Sequence, residues 1–267
     1  RKTSNLQIVE STSKPSEVGD EPLQLKLNNP DCIVVVEKNR NKGVKKILKD
    51  FPETDVIILD DGYQHRWIKA GFNILITPYY YPYYKDSLMP VGNLRESKKG
   101  AERANAIVFS KTPENINPTL KKGMLERLHL FAHQKAYFSH INYCTWKCIS
   151  TNEEFTPDEH QSITLVSGIV NPKPLVEQLE NKGHTISQIT FKDHHSYTTY
   201  DTQKILAKYN ADESAKKLIL TTEKDATKLR ELLAHFEDAS FYYIPIDIAF
   251  SEQEIFDRQI LNYVAKN

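Results

Sequence analysis

Two adjacent acids that follow an apolar run are the residues of this chain best placed to do chemistry. Residues 56–59 lead directly into Asp60, Asp61 and a glycine, in the sequence VIILDDGYQH. Such a run predicts a buried parallel strand, and open α/β sheets bind ligands at the carboxyl ends of their strands. Two carboxylates there suit a Mg²⁺ ion beside nucleotide phosphates, because Mg²⁺ is held by one or two carboxylates plus substrate oxygens. An ordinary strand followed by an Asp-Gly turn is the alternative interpretation.

A second candidate group combines a carboxylate with neighbouring histidines. Asp20 and Glu21 lie in VGDEP, where the proline disfavours α-helical geometry at Glu21 and predicts a fixed turn. Asp193, His194 and His195 follow a predicted extended segment in FKDHHSYT. A carboxylate in a turn can act as a general base on a hydroxyl when a partner orients it. Neighbouring side chains on an extended chain point in opposite directions, so one histidine could pair with a carboxylate while the other packs or caps. A solvated acidic turn is the alternative.

Two further segments could contact phosphate. Arg95 and Glu96 follow a Pro-Val-Gly turn in MPVGNLRES. Arg95 could clamp a phosphate through two hydrogen bonds, and Glu96 could help to hold a metal ion or a water molecule. Lys224 and Asp225 lie in TTEKDA, at a predicted junction between a strand and a helix where anions are favoured. For Arg95 and Glu96, the charged start of a surface helix is the alternative.

Five tyrosines lie between Tyr79 and Tyr84 in PYYYPYYKD. Tyrosine is enriched at membrane interfaces and in sugar-binding sites because one end of its side chain is apolar and the other is polar. Lys98, Lys99 and Arg103 follow and could meet anionic head groups. A loop packed on its own rings and a solvated helix face are the alternatives.

The composition excludes several classes of protein. The 267 residues contain 35 Lys plus Arg and 35 Asp plus Glu, so no basic excess argues for nucleic acid as a partner. Cys32, Cys144 and Cys148 show no paired spacing, which fits packing thiols in a reducing compartment. No apolar run approaches the length of a transmembrane helix.

The elements that must position these residues alternate between strands and helices, which predicts a mainly parallel sheet. In the first half, strands are predicted at residues 33–36, 56–59, 73–76, 106–109 and 136–149, and helices at 42–49 and 119–128. A second series begins with a strand, turn and helix between Ser162 and Gly183. It continues with strands predicted at 186–191, 217–220 and 241–246. Helices are predicted at 203–209 and 252–264, and a further helix is predicted to begin after an N-cap at Thr222. The polar stretch 150–161 is the predicted domain boundary.

Five motifs stand in one order along the chain: VGDEP, DDGYQHR, MPVGNLRES, SGIVNPKPL with FKDHHSYT, and TTEKDATKL. Together they resemble the tetraacyldisaccharide 4'-kinase family of lipid A biosynthesis, over most of the chain. The resemblance implies an α/β fold of P-loop kinase type, with a mainly parallel sheet and a second, smaller α/β domain. The expected domains are a nucleotide-binding core at 1–149 and a C-terminal domain at 150–267, whose last helix packs back on the core.

The same resemblance implies an activity and a location. The γ-phosphate of ATP would pass to the 4'-hydroxyl of a tetraacyldisaccharide 1-phosphate, with Mg²⁺ as a further cofactor. The enzyme would be a monomer in peripheral contact with the cytoplasmic face of the bacterial inner membrane. Asp20 would be the catalytic base, paired with His194 or His195, a choice that the sequence leaves open. The residues implied for metal or ATP binding are Asp60 and Asp61 for both, and Arg95 and Glu96 for ATP.

The chain also departs from the pattern of this family. P-loop kinases need G-x-x-x-x-G-K-[ST], and none of the nine glycines here precedes Lys-Ser or Lys-Thr. In the family that loop and a membrane-associating helix precede the residues that align with Arg1. We therefore expect a fragment that lacks both and does not transfer phosphate by itself. Residues 77–88 also differ from the Gly-Asn-rich version in the family. A catalytically dead glycolipid- or sugar-binding module and a kinase for a soluble sugar are the alternative functions.

Overall fold

The computed structural model describes residues 6–266, which form two compact units. Unit 1 comprises residues 6–38 and 143–246, and unit 2 comprises residues 39–142 and 247–266. This division differs from the predicted boundary between residues 149 and 150. The N-terminal segment belongs with the C-terminal half of the chain, and the last helix belongs with the central segment.

The elements alternate much as the sequence predicts. The strands are β1 (Gln7–Val9), β2 (Val34–Val36), β3 (Ile74–Pro78), β4 (Ala106–Ser110), β5 (Lys135–Tyr143), β6 (Trp146–Cys148), β7 (Glu154–Phe155), β8 (Ser162–Ser167), β9 (Thr185–Thr190), β10 (Lys217–Thr222), β11 (Phe241–Ile244) and β12 (Ile246–Phe250). The α-helices are α1 (Pro15–Val18), α2 (Asp20–Asn28), α3 (Arg40–Asp50), α4 (Pro118–Glu126), α5 (Lys173–Asn181), α6 (Thr199–Asn210), α7 (Glu223–Leu229) and α8 (Gln253–Val264). None of the helices within residues 6–266 is long and apolar enough to cross a membrane.

The main sheet of unit 1 has the strand order β7-β6-β11-β10-β8-β9. The four strands from β11 to β9 are parallel, and β6 and β7 extend the sheet antiparallel. Ile163, Leu165, Ile219 and Leu220 are fully buried, as expected for parallel strands with both faces covered. Strand β7 lies inside residues 150–161, so this polar stretch continues the sheet and does not separate two domains.

The N-terminal segment forms a small layer in unit 1. Strand β2 pairs with β1 antiparallel, so the predicted strand at residues 33–36 exists but joins a two-stranded ribbon. Val9, Val18, Leu23 and Val36 form the buried cluster beneath this ribbon. Helix α2 packs on α7, which brings the GDEP motif to the second half of the chain.

Unit 2 is built on a four-stranded sheet of order β12-β5-β4-β3. Strands β3, β4 and β5 are parallel, and the stacked rings of Phe109 and Phe138, 4.8 Å apart, lie in its largest core cluster. Helix α8 packs on this sheet through Phe256, whose ring centroid lies 5.0 Å from that of Tyr137.

The predicted strand at residues 56–59 does not form. This segment has no strand partner, and the side chain of Ile58 is 87% exposed. A short apolar run becomes a buried strand only when a neighbouring strand and a covering layer are both present. Among the residues that the structure describes, neither covers this run. Asp60 and Asp61 therefore lie in a turn and not at the end of a sheet strand.

Candidate functional site

The GDEP motif forms the junction between two helices. Gly19 ends α1 and precedes α2 with φ 98° and ψ 151°, a conformation that favours glycine. Asp20 and Glu21 are the first two residues of α2. The predicted non-helical geometry at Glu21 is therefore wrong. Pro22 lies in the first helical turn, where the N–H group that proline lacks would have no partner within the helix.

His194 is the histidine that lies against Asp20. Its Nδ1 atom is 3.3 Å from Asp20 Oδ2, and its Nε2 atom is 3.5 Å from Asp193 Oδ2. His194 has φ 58°, and its backbone N–H donates to Asp193 Oδ1 at 3.0 Å. This left-handed turn directs the imidazole towards the start of α2. Asp20 is largely buried and His194 is exposed, so the pair lies at the surface of unit 1.

His195 lies in a different environment. Its Nε2 atom is 3.1 Å from Asp201 Oδ2, and its ring stacks on Phe191 with centroids 4.6 Å apart. Asp201 also accepts hydrogen bonds from the backbone N–H and hydroxyl of Thr198 in the capping box of α6. Of the two candidate histidines, the structure therefore brings His194 to Asp20 and places His195 at the N-terminus of α6.

Helix α7 supplies two lysines to the same cluster. Lys224 Nζ lies 3.2 Å from Glu21 Oε1 and 3.3 Å from Asp193 Oδ1. Lys228 Nζ lies 3.8 Å from Asp20 Oδ2. Lys228 is not among the site residues predicted from the sequence. The available signal was its spacing of four residues from Lys224, which places both side chains on one face of a helix.

Asp225 is an internal anchor of this helix. Its side chain is fully buried, and its Oδ2 atom accepts hydrogen bonds from Gly168 N–H at 2.8 Å and Thr222 Oγ1 at 2.7 Å. Thr222 accepts a hydrogen bond from the backbone N–H of Asp225, which confirms the predicted N-cap. Asp225 thus fixes the junction between β8, β10 and α7.

The electrostatics favour an ionised Asp20. Burial by itself raises the pKa of its carboxyl. The charges of Lys228, Lys224 and His194 and the hydrogen bond from the backbone N–H of Asp20 lower the pKa by a larger amount. The net result is a pKa below the usual value for aspartate. The ionised carboxylate has only acceptor oxygens, so it can receive a proton from a hydroxyl group.

The DDGYQH and LRES motifs meet within unit 2. Arg95 Nη1 lies 3.0 Å from Asp61 Oδ2, and both side chains are exposed. Asp61 has φ 45°, and Asp60 is exposed in the same turn. The sequence predicted a common role for these acids and Arg95, and the structure brings Asp61 and Arg95 together.

Glu96 is paired with a second arginine in the same unit. Arg103 Nη2 lies 2.5 Å from Glu96 Oε1 and also donates to the Tyr63 carbonyl at 2.7 Å. The guanidinium group lies over the Tyr63 ring, 4.2 Å from its centroid. This half-buried network fixes the backbone that follows Asp61 to the LRES segment.

The two adjacent aspartates of the DDGYQH motif suit a Mg²⁺ ion that takes its remaining ligands from phosphate and water. No group of three or more His, Cys, Asp or Glu side chains within residues 6–266 could hold a metal ion alone. Asp60 and Asp61 nevertheless supply two adjacent, exposed carboxylates. Mg²⁺ commonly takes one or two carboxylates and completes its shell with phosphate oxygens and water.

The tyrosine-rich segment borders a cavity of about 680 Å³ in unit 2. Tyr79, Tyr83 and Tyr84 pack against the core, whereas Tyr80 is 68% exposed. The wall is mostly aromatic and apolar and carries two cationic groups. Its lining includes Tyr79, Tyr80, Tyr84, Met124, Lys85 and Arg127.

Comparison with known proteins gives a consistent family. A family model described as LpxK, tetraacyldisaccharide-1-P 4'-kinase, matches residues 1–265. The tetraacyldisaccharide 4'-kinase of Cytophaga hutchinsonii is 39% identical over 268 residues, covering 99% of this chain and 74% of that protein. The enzyme of the same name from Flavobacterium johnsoniae is 36% identical, covering 100% and 76%. The crystal structure of the "apo" form of LpxK from Aquifex aeolicus, in complex with ATP, superposes with a TM-score of 0.72. It is 26% identical and covers 99% of this chain and 76% of that one.

Proposed function

Because the chain belongs to the tetraacyldisaccharide-1-P 4'-kinase family, we propose that its residues serve ATP-dependent phosphorylation of the 4'-hydroxyl of a tetraacyldisaccharide 1-phosphate in lipid A biosynthesis. The observation that carries the proposed chemistry is the contact between Asp20 and His194 at the surface of unit 1. Phosphoryl transfer requires positioning, charge stabilisation and a group that receives the hydroxyl proton, and these two side chains can supply the last of these.

Asp20 is proposed to accept the proton of the 4'-hydroxyl. As the oxygen–phosphorus bond forms and ADP leaves, the O–H bond breaks and its proton passes to the carboxylate. The depressed pKa of Asp20 keeps this acceptor ionised. His194 holds the carboxylate through Nδ1 and is itself oriented by Asp193. Its proposed role is to orient Asp20 or to share the proton that Asp20 receives.

The phosphate end of the reaction is proposed to lie at the DDGYQH and LRES motifs. Asp60 and Asp61 would hold Mg²⁺ together with ATP oxygens, and the ion would neutralise charge on the phosphates. Arg95 lies close enough to Asp61 to bind a phosphate beside the same carboxylates, since guanidinium groups bind phosphate through two hydrogen bonds. Glu96 would act through its pairing with Arg103, which fixes this segment.

The cavity bordered by the tyrosines is proposed to receive part of the glycolipid. Aromatic faces pack against sugar rings and acyl chains, while Lys85 and Arg127 would attract an anionic group. We further propose that the protein acts as a monomer in peripheral contact with the cytoplasmic face of the inner membrane, because its glycolipid substrate would be held in a membrane. We expect Arg127→Ala to raise KM for the glycolipid with little change in KM for ATP; equal changes in both would contradict this assignment.

The proposed chemistry is tested by Asp20→Ala in the complete encoded protein, assayed for transfer from ATP to a tetraacyldisaccharide 1-phosphate. Turnover should fall by a factor on the order of 10² to 10⁴, the usual contribution of a general base, while ATP binding and thermal stability stay near those of the parent. Near-normal turnover would remove Asp20 from the role of base. A matched control is Glu21→Ala, which alters the neighbouring exposed acid and should have a much smaller effect.

A second experiment tests the metal end. Asp61→Ala should raise the Mg²⁺ concentration needed for half-maximal activity, or abolish activity. An unchanged Mg²⁺ dependence would exclude Asp61 from the metal site. The prediction that the 267-residue chain is inactive alone is tested by assaying it beside the complete protein. Glycolipid binding without transfer by either protein would favour a catalytically dead binding module. Transfer to a soluble sugar only would favour a kinase for a soluble sugar.

A further inference from the structure

A buried ammonium group in unit 1 has no role in the scheme above. The side chain of Lys228 is only 10% exposed, and its Nζ atom makes no hydrogen bond. Two carboxylates nevertheless lie within ion-pair distance: Asp225 Oδ1 at 3.4 Å and Asp20 Oδ2 at 3.8 Å. Burying a charge is costly unless it is compensated, so the arrangement needs a reason beyond packing.

Asp225 is fixed in the position that this pairing requires. Its Oδ2 atom is occupied by the hydrogen bonds from Gly168 and Thr222, which leaves Oδ1 beside the ammonium group of Lys228. Lys228 and Asp225 already balance each other in charge. The approach of the ammonium group to Asp20 is therefore additional to a complete ion pair.

The surroundings hold the ammonium group in place. Tyr197 presents its ring to Lys228, with Nζ 5.5 Å from the centroid. Burial, the charge of Asp225 and a hydrogen bond with the Asp225 side chain raise the pKa of the Tyr197 phenol, so it adds no negative charge. The cation is thus confined between an aromatic ring and two carboxylates.

We propose, on the basis of the proposed function of Asp20, that Lys228 is a positioning residue for the base. Its ammonium group, held by Asp225, keeps the Asp20 carboxylate ionised in a desolvated position and orients it through Oδ2. His194 contacts the same oxygen, so Oδ1 of Asp20 is the oxygen that we assign to the proton of the acceptor hydroxyl.

Other charged groups face the Asp20 carboxylate and also affect its protonation. Lys224 approaches from α7, but it is already paired with Glu21 and Asp193. His194 approaches from the turn after β9. Lys228 is therefore the lysine that contacts Asp20 directly, and its removal should change the protonation of Asp20 more than the removal of Lys224.

The test is the pH dependence of kcat/KM in the complete protein. Lys228→Met removes the charge but leaves Asp225 buried without its partner, so the variant can be unstable. The double variant Asp225→Asn with Lys228→Met removes both charges, keeps similar side-chain volumes and retains an acceptor for Gly168 and Thr222. Lys173→Met, at an exposed lysine of α5, is the matched control.

We expect the acidic limb of the profile to move to higher pH by about one unit in the double variant, because a nearby opposite charge lowers a carboxyl pKa by about that much or more. Below both pKa values this corresponds to roughly tenfold lower kcat/KM. KM for ATP should not change, and Lys173→Met should match the parent. The same displacement should occur in a His194→Gln background, where no imidazole lies beside Asp20.

A folded double variant with an unmoved acidic limb would overturn the inference and leave Lys228 a purely structural residue. Asp20→Ala, measured in the same series, separates this failure from a failure of the proposed function. If Asp20→Ala is inactive and the limb does not move, only the role of Lys228 fails. If Asp20→Ala retains turnover, the assignment of the base fails, and that of Lys228 fails with it.

Discussion

Gly168→Ala should destabilise unit 1 because the glycine lies against the buried carboxylate of Asp225. A Cβ atom at this position would lie 2.9 Å from Asp225 Oδ1 and 3.3 Å from the Lys192 carbonyl oxygen. An ordinary contact between carbon and oxygen is several tenths of an ångström longer. Asp225 is fully buried and held by two hydrogen bonds, so the carboxylate cannot move away freely.

Overpacking of this kind typically costs about 1–3 kcal/mol of unfolding free energy. At about 2–4 °C per kcal/mol for a protein of this size, the melting temperature of unit 1 should fall by roughly 2–12 °C. Because the displaced Oδ1 atom faces Lys228, kcat should also fall, while KM for ATP stays close to that of the parent. Differential scanning calorimetry and steady-state kinetics on the same preparations measure both effects.

Gly123→Ala is the matched control for this substitution. Gly123 lies inside α4, and a Cβ atom there would meet nothing within 4 Å. Alanine in a helix interior is favoured over glycine by about 0.5–1 kcal/mol, so this variant should be more stable than the parent. The two substitutions therefore have opposite expected signs. A Gly168→Ala variant as stable as the parent would refute the account of Asp225 as a rigid anchor.

Three further predictions concern the neighbouring turn. His194→Gln should lower kcat by a factor on the order of 10² with little loss of stability, whereas His195→Gln should lower the melting temperature and leave kcat near that of the parent. Thr198→Ala should cost about 1 kcal/mol in a urea titration because it removes the N-cap of α6. Burial by itself raises the pKa of Asp201, but the hydrogen bonds from Thr198 and His195 lower the pKa by a larger amount. The contribution of the Asp201 carboxylate to the free energy of unfolding is therefore present above about pH 3.9, and it is lost as the pH falls through the lower pKa of the folded state. In Asp201→Asn, the urea midpoint should therefore depend less on pH between pH 5 and 3 than it does in the parent.

The sequence predicted the elements of unit 1 well where local signals agree. Strands β8 and β10 combine apolar runs with helices that follow them, and Thr222 caps α7 as its residue type suggests. The run at residues 56–59 carries the same apolar signal, yet nothing within residues 6–266 buries it. Local composition cannot tell these cases apart, because burial depends on which strands and helices come together.

The candidate site was predicted in part for a similar reason. Asp20 and the histidine pair could be selected by residue type, but the choice between His194 and His195 depended on the left-handed conformation of His194. Lys228 was missed because its neighbour Asp20 lies at the other end of unit 1 in the sequence. The domain boundary was misplaced because the segment at residues 6–38 packs with distant residues.

The interleaved order of the two units has a consequence for biosynthesis. Asp20 and His194 are 174 residues apart, which a ribosome needs on the order of 9 to 35 s to translate at usual rates. During that interval α2 has emerged without α7, the helix from the second half of the chain that packs on it. Unit 2 in turn waits for α8, near the end of the chain. Neither unit can finish folding while the first half alone is outside the ribosome, so the nascent chain should depend on chaperones until α7 and α8 have both emerged.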